Sequence, residues 1–173
     1  GDQAPEMVIL GADAARKRYP NTNFLLFGDT SVCAPLLRRF SGLSTVTQVV
    51  HTEDIVPPDA KPSAMVRRGR KTSMWVAIES VASGRADAIV SAGNTGALMA
   101  MSKLILKTLP GISRPAIAGI VPTRRSESVF LDLGANIECD EKNLSDFACM
   151  GSALFKSLFG NDLSCGYPFY RIY

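Results

Sequence analysis

Histidine is nearly absent from this chain of 173 residues, and the residues that most often build catalytic or metal sites are scattered. His51 is the only histidine, and no Gly-x-Ser-x-Gly turn accompanies it, so the sequence does not indicate a Ser-His-Asp triad. We expect His51 to be a hydrogen-bonded loop or core residue. The cysteines form no Cys-x-x-Cys pair and have no histidine close by, which argues against zinc. They are typical of reduced, packed thiols in a cytosolic protein: Cys33, Cys139, Cys149 and Cys165.

Long apolar stretches are absent too. No run approaches the ~18 residues of a membrane span, and no N-terminal segment resembles a signal peptide. The sequence therefore predicts a cytoplasmic protein whose contact with the membrane, if it has one, is peripheral at the inner face. With 46% hydrophobic and 20% charged residues, the chain is expected to form one globular domain.

The net charge is only +3, but the basic residues are clustered. The clusters are Arg38–Arg39, then Arg67, Arg68, Arg70 and Lys71, then Arg124–Arg125. Nucleic-acid binders combine a strongly basic composition with interleaved aromatic residues, and these clusters have few aromatic neighbours beyond Trp75. The pattern favours phosphate or an acidic partner over nucleic acid.

Short apolar runs alternate with helical patterns, which predicts an α/β fold with a parallel sheet wrapped by helices. The predicted strands are Asn23–Phe27, Thr45–Val50, Asp87–Ser91, Ala116–Val121 and Val129–Leu133. Apolar stripes predict two helices between strands. Their core residues are Trp75, Ile78, Val81 and Ala82 in one, and Leu98, Met101, Ile105 and Leu109 in the other.

Three further signals concern helix ends and loops. Asn143 and Asp146 resemble a capping box in front of a last helix. Gly160 is expected to end that helix. The prolines between the second strand and the basic run predict an extended loop: Pro57, Pro58 and Pro62.

The stretch Ser-Ala-Gly-Asn-Thr-Gly, residues 91–96, lies where a predicted strand passes into a predicted helix. Ligands of open parallel sheets bind at this end of the strands, and a helix start offers unpaired N–H groups with partial positive charge. The stretch therefore predicts a phosphate site. Its residues are Ser91, Gly93, Asn94, Thr95 and Gly96. The alternative is structural: Asn94 or Thr95 caps the helix, and the glycines permit the turn.

Nucleotide signatures do not accompany this stretch. It lacks the Gly-Lys-Ser/Thr ending of a Walker loop, and Gly-x-Gly-x-x-Gly is absent from the chain. Bare phosphate therefore suits the site better than ATP or NAD, and we expect neither a cofactor nor a metal.

Two other stretches offer polar groups. Arg67 and Arg70 could bind phosphate oxygens, and Thr72 or Ser73 could cap the following helix; the alternative is a solvated charged run. In the third stretch, Asp132 and Asn136 would face the same edge of the sheet, or would only hold a turn.

Four segments, taken together and in order, resemble the PlsX family, the bacterial acyl-[acyl carrier protein]:phosphate acyltransferases of phospholipid synthesis. They are PSAMVRRGRKTSM, SAGNTGALMA, GISRPAI and DLGANIECD. The resemblance begins at Gly1–Asp2, which is similar to the end of a Met-Gly-Gly-Asp element, and runs to about Gly160. It implies a homodimer with an isopropylmalate-dehydrogenase-like fold, a doubly wound, mostly parallel sheet with helices on both faces.

The resemblance also implies a reaction, the transfer of a long-chain acyl group from acyl carrier protein to inorganic phosphate. It implies catalytic roles for Asn94, Thr95, Arg67 and Arg70. It implies phosphate contacts from Ser91, Gly93, Asn94, Thr95, Gly96, Thr72 and Ser73. Supporting roles fall to Asp2, Asp132 and Asn136. Because the carrier protein is acidic, Arg38–Arg39 and Arg124–Arg125 could steer it.

The chain departs from the family pattern in two ways. Gly1–Asp2 corresponds to the turn that follows the family's first strand, and family members are much longer. We therefore expect residues 1–160 to be the N-terminal part of a phosphate acyltransferase domain, with an incomplete crevice and impaired activity, followed by an atypical tail at 161–173. Three alternatives remain: a phosphotransacetylase-like enzyme acting on acyl-CoA, a dehydrogenase on the same fold, and a non-catalytic phosphate-binding fragment.

Overall fold

The computed structural model describes residues 3–124, 127–134, 136 and 138–160. The chain divides into two compact units, Gly1–Lys107 and Thr108–Tyr173. Several residues singled out above lie outside the described ones: Asp2, Arg125, Cys165 and the tail 161–173. The described residues form a mixed α/β structure, and one pair of its strands is parallel.

The first unit alternates helices with two short strands. In chain order its elements are α1 (Glu6–Arg18), β1 (Phe24–Gly28), α2 (Thr30–Arg38), α3 (Ser41–Ser44), β2 (Thr47–His51), α4 (Pro62–Arg68), a 3-10 turn (Gly69–Lys71), α5 (Ser73–Ala82) and α6 (Thr95–Leu106). Strands β1 and β2 pair in parallel, from Phe24 opposite Thr47 to Gly28 opposite His51. The first two predicted strands are therefore confirmed, and the helices between them make the crossover that a parallel pair needs.

Two apolar clusters stabilise this unit. Ile9, Leu37 and Leu43 form one, on which residues of β1 and β2 pack. The other lies between α5 and α6 and consists of Met74, Trp75, Ile78, Ala97 and Met101. Of the predicted core residues, Trp75, Ile78 and Met101 belong to this cluster, and Leu98 and Ile105 pack against it. The predicted core positions Val81 and Ala82 are not part of it, and Ala82, the last residue of α5, is exposed.

The stripe of α6 ends earlier than predicted. Leu109 lies beyond the helix and is 74% exposed. The helix ends at Leu106 because Lys107 adopts a positive φ of 65°, which no helical residue has.

The predicted strand Asp87–Ser91 is wrong: residues 87–91 form no strand. The apolar run is there, but only Ile89 packs against the second cluster, while Val90 is 98% exposed. A strand exists through the pairing of its N–H and C=O groups with a neighbour, and no described residue provides that neighbour here. The hydrophobic pattern alone therefore predicted a strand that the structure does not contain at residues 87–91.

The second unit contains β3 (Ala118–Pro122), β4 (Glu127–Leu131) and α7 (Glu141–Phe159). Both strands were predicted, but they pair antiparallel, with Ala118 opposite Leu131 and Pro122 opposite Glu127. Their connection is short, and a short connection can only return the chain in the opposite direction. The doubly wound sheet and the isopropylmalate-dehydrogenase-like fold stay predictions.

The N-cap of α7 lies three residues before the predicted one. Asp140 is the N-cap residue, and its Oδ1 accepts a hydrogen bond from the backbone N–H of Asn143 at 2.8 Å. The Asp140 N–H donates in return to Asn143 Oδ1 at 3.2 Å, which completes the capping box. The predicted pair Asn143 and Asp146 is thus wrong, since Asp146 accepts from Lys142 instead. Gly160 ends the helix with φ 69°, as predicted.

Among the helices of the described residues, none combines the length and the apolar character that crossing a membrane requires.

Ile78 and Ile55 provide a matched test of the second cluster, because Ile78 is fully buried and Ile55 is 70% exposed. Ile78→Ala should lower the free energy of unfolding by about 2–5 kcal/mol, since it removes buried carbon and leaves a cavity. Ile55→Ala should change it by less than about 0.5 kcal/mol. Urea denaturation followed by the fluorescence of Trp75, the only tryptophan, measures both. Equal effects of the two variants would contradict this core.

Candidate phosphate site at the start of α6

The start of α6 is organised by the side chain of Asn94. Its Oδ1 accepts a hydrogen bond from the backbone N–H of Ala97 at 2.9 Å, so Asn94 is the N-cap residue. Just before it, the N–H of Gly93 donates to Ser91 Oγ at 3.2 Å. The N–H groups of Thr95 and Gly96 have no protein partner among the described residues, and both residues are exposed. These two amides are the donors that an anion could reach.

The other end of the Asn94 amide holds the proline loop, residues 57–60. Its Nδ2 donates to the carbonyl oxygens of Pro58 at 2.9 Å, Ala60 at 3.0 Å and Pro57 at 3.5 Å. The sequence left open whether Asn94 caps the helix or binds phosphate. The geometry shows a cap that also fastens a loop more than 30 positions away. A direct contact between Asn94 and phosphate stays a prediction.

Helices α4 and α6 pack side by side and run in the same direction. A Cβ at Gly96 would lie 2.9 Å from Cγ of Pro62, the first residue of α4. A Cβ at Gly69, just after α4, would lie 2.5 Å from Cε of the buried Met101. Both glycines are therefore explained by the close approach of the helices, and the first turn of α4 lies beside the first turn of α6.

Arg67 points towards these helix starts. Its Nε donates to the carbonyl oxygen of Ser63 at 3.4 Å, so the side chain folds back along α4 towards its first turn. The guanidinium of Arg70 instead lies over the Trp75 ring, 5.9 Å from its centroid. Within the part of the chain that the structure describes, no carboxylate pairs with the exposed basic residues of this run: Arg67, Arg68, Arg70 and Lys71. Their positive charge thus remains available, and of these residues Arg67 is the one whose side chain is directed towards the start of α4.

Thr72 and Ser73 are placed at the start of α5. The Thr72 hydroxyl is buried; it donates to the carbonyl oxygen of Gly69 at 2.6 Å and accepts from the Trp75 N–H at 3.4 Å. Thr72 is therefore the N-cap residue of α5, one of the two caps that the sequence allowed. The backbone N–H of Ser73 donates to the carbonyl oxygen of Asp54 at 2.9 Å. Phosphate contacts from these two residues stay predictions.

Asp132 and Asn136 belong to the second unit, where they build a turn. Asp132 has a positive φ of 62°, and its Oδ1 accepts from both N–H and Nδ2 of Asn136, at 3.1 and 2.9 Å. Asn136 Nδ2 also donates to the carbonyl oxygen of Pro115 at 3.1 Å. The turn-holding alternative from the sequence therefore describes their contacts, and their supporting role in a crevice stays a prediction.

Cys139 lies against this turn. Its Sγ donates to Asp132 Oδ2 at 3.6 Å. Burial raises the pKa of the Cys139 thiol, and the negative charge of Asp132 raises it further. The thiol is thus held in its neutral, weakly nucleophilic form.

The lone histidine, His51, ends β2 and is hydrogen-bonded, as predicted. Its Nδ1 accepts from the backbone N–H of Thr30 at 3.2 Å. Asp29 lies 3.9 Å away and caps α2 through Ser31, whose hydroxyl and N–H lower the pKa of the Asp29 carboxyl. Across the described ranges, no group of histidine, cysteine and acidic side chains is arranged to hold a metal ion.

Sequence reasoning missed the carbonyl groups of the proline loop as partners of Asn94. Backbone carbonyls carry no side-chain signal, and the loop lies far from Asn94 along the chain. The only signal in the sequence was the predicted extended loop. Carbonyl groups in such a segment have no partners within a helix or sheet, so they need hydrogen-bond donors from elsewhere.

Comparison with known proteins gives consistent matches along this chain. A family model described as a fatty acid synthesis protein matches residues 1–164. A protein named Phosphate acyltransferase from Rhodospirillum centenum is 56% identical over 160 residues. Proteins of the same name from Rhodospirillum rubrum and Paramagnetospirillum magneticum are 55% identical over 162 residues and 52% identical over 160 residues. These alignments cover 92%, 94% and 92% of this chain, but 45%, 46% and 46% of the relatives, so the chain spans less than half of their length.

The Cys139 contact can be tested by thiol chemistry. Asp132→Asn should lower the Cys139 pKa, because it removes the neighbouring negative charge, and alkylation by iodoacetamide at pH 8 should become faster by roughly several-fold. Mass spectrometry of the labelled peptides measures this rate. The exposed Cys149 is an internal reference whose rate should not change. An unchanged Cys139 rate in the folded variant would mean that Asp132 does not control the thiol.

Proposed function

The chain belongs to the fatty acid synthesis protein family (PlsX), and we propose that it forms the phosphate-binding part of an enzyme that transfers acyl groups to inorganic phosphate. The resemblance drawn from the four sequence segments is thereby confirmed. The observation that carries the proposal is the 56% identity over 160 residues with a protein named Phosphate acyltransferase. In this proposal the acyl donor is a long-chain acyl-[acyl carrier protein], and the product is an acyl phosphate for lipid synthesis.

The proposed reaction needs an anion held beside a thioester. A phosphate oxygen attacks the carbonyl carbon, a C–O bond forms, and the C–S bond breaks. The electron pair of that bond leaves on sulfur, and the resulting thiolate of the carrier protein takes up a proton. The enzyme has to hold phosphate against the carbonyl, a positioning effect that can contribute about 7–11 kcal/mol.

The start of α6 supplies groups suited to that task. The N–H groups of Thr95 and Gly96 would donate to an anion with the helix dipole behind them, and the Thr95 hydroxyl would add a donor. Arg67 and Arg70 would neutralise phosphate or the oxyanion of the tetrahedral intermediate. The exposed Thr95 and Gly96 amides and the direction of the Arg67 side chain support this assignment, while Arg70 would have to leave the Trp75 ring to reach the anion.

The proposal includes three partners: an acyl carrier protein, a second copy of the chain and the membrane surface. An acidic carrier protein would be attracted by the exposed basic residues, and raising the salt concentration should weaken its binding. A homodimer and peripheral contact with the inner face of the membrane complete the proposed assembly.

Phosphate binding by this chain tests the site. Arg67→Gln and Arg70→Gln should each raise the Kd for inorganic phosphate by roughly tenfold or more, because hydrogen bonds to charged groups contribute about 1.5–3 kcal/mol. Isothermal titration calorimetry at constant ionic strength measures the Kd. Arg38→Gln is the matched control, since it removes the same charge from the end of α2. Normal binding by both site variants would place phosphate elsewhere.

A chimera tests the activity, because the chain spans less than half of its relatives. Residues 1–160 replace the aligned residues of the Rhodospirillum centenum protein, and thiol release is followed in the presence of phosphate. We expect turnover with long-chain acyl-[acyl carrier protein] and little with acetyl-CoA. Preference for acetyl-CoA would favour the phosphotransacetylase-like alternative. A folded chimera that binds phosphate without turnover would identify a non-catalytic binding fragment.

A further inference from the structure

We propose that Asn94 is a positioning residue: it fastens the proline loop to the start of α6 and thereby holds Arg67 of α4 beside the Thr95 and Gly96 amides. The proposal rests on the proposed function in one respect, namely that phosphate is the ligand of those amides. The fastening itself does not depend on the ligand.

Both N–H donors of the Asn94 amide are engaged by carbonyl groups of the protein. A primary amide has two N–H donors and one carbonyl acceptor. The carbonyl oxygens of Pro58 and Ala60 take both donors at 2.9 and 3.0 Å, and the Ala97 N–H occupies the acceptor. No donor remains for a ligand. Asn94 therefore acts on phosphate through the groups that it holds.

The proline loop leads directly into α4, so a contact that fixes the loop also fixes the helix start. The N-cap residue of α4, Lys61, makes no capping hydrogen bond with its side chain. The turn before it is closed by the Ala60 N–H, which donates to the carbonyl oxygen of Pro57 at 3.1 Å. The Ala60 carbonyl oxygen of that turn accepts a hydrogen bond from Asn94, and the Pro57 carbonyl oxygen lies 3.5 Å from the same Nδ2. The side chain thus sets the start of α4 level with the start of α6.

Asn94 also offsets the partial negative charge of the loop carbonyl oxygens next to the proposed anion site. Each backbone carbonyl oxygen carries partial negative charge, and three of them lie within 3.5 Å of this one side chain. Left without donors, they would oppose an anion at the neighbouring amides. The Nδ2 group satisfies them without using the Thr95 or Gly96 amides.

Asn94→Ser separates capping from fastening. A serine hydroxyl can still cap α6, but it is too short to reach the proline loop. Hydrogen exchange of the Ala60 amide should therefore become faster in the absence of phosphate. The Kd for inorganic phosphate should rise about tenfold, within the range found for coupled residues. Asp29→Ala is the matched control: it removes an N-cap at α2 and should change neither measurement.

A double-mutant cycle with Arg67→Gln tells positioning from direct contact. If Asn94 acts through Arg67, Asn94→Ser should have little further effect on the Kd once Arg67 is replaced. Additive effects would overturn the proposal in favour of direct contact with phosphate. If the hydrogen-exchange rate of the Ala60 amide is unchanged in Asn94→Ser, Asn94 does not hold the proline loop, whatever the ligand of the site is.

Failure of the proposed function gives a different result. If the unaltered chain does not bind phosphate while Asn94→Ser still accelerates Ala60 exchange, the fastening stands, and the assignment of the ligand is wrong. Urea denaturation of each variant confirms that the chain remains folded during these measurements.

Discussion

The structure around the candidate site depends on one primary amide. Asn94 is the side chain that can accept from a helix N–H and donate to a loop at the same time, and both kinds of contact are made here. Aspartate would cap the helix but has no donor for the loop carbonyls, while serine would be too short. This constraint connects two segments that are distant in the sequence, and it places the start of α4 against the start of α6.

Packing reinforces this arrangement. Gly96 admits Pro62, and Gly69 admits Met101, so the two helices approach at both ends of α4. A larger residue at either glycine would push the helices apart or displace a buried side chain. Gly96, which the sequence analysis assigned to an anion, thus has a packing role as well, because it lets α4, which carries Arg67, approach α6.

Sequence reasoning succeeded where the physics is local. The cap at Asn94, the cap at Thr72 and the end of α7 at Gly160 depend on neighbouring residues, and so does the apolar stripe through Trp75 and Ile78. Sequence reasoning failed where the local structure depends on a partner that is distant in the sequence. Residues 87–91 have the composition of a strand but no neighbour among the described residues, and the carbonyls held by Asn94 are invisible in the sequence. The α7 cap shows the intermediate case, since Asp140 and Asp146 both flank Asn143 and only the backbone conformation of Asp140 decides between them.

Most polar side chains of the three polar stretches form structural hydrogen bonds. Asn94 holds a loop, Thr72 caps a helix, and Asp132 and Asn136 close a turn. In the first unit, the groups that remain for an anion are the backbone N–H groups of Thr95 and Gly96, the Thr95 hydroxyl and the arginines. Such groups are well suited to phosphate as a nucleophile, because they neutralise its charge while taking no proton from it and leave an oxygen exposed for attack. In the proposed site, side chains fix the geometry while backbone and guanidinium groups bind the anion, so that one positioning amide would matter as much as a direct ligand.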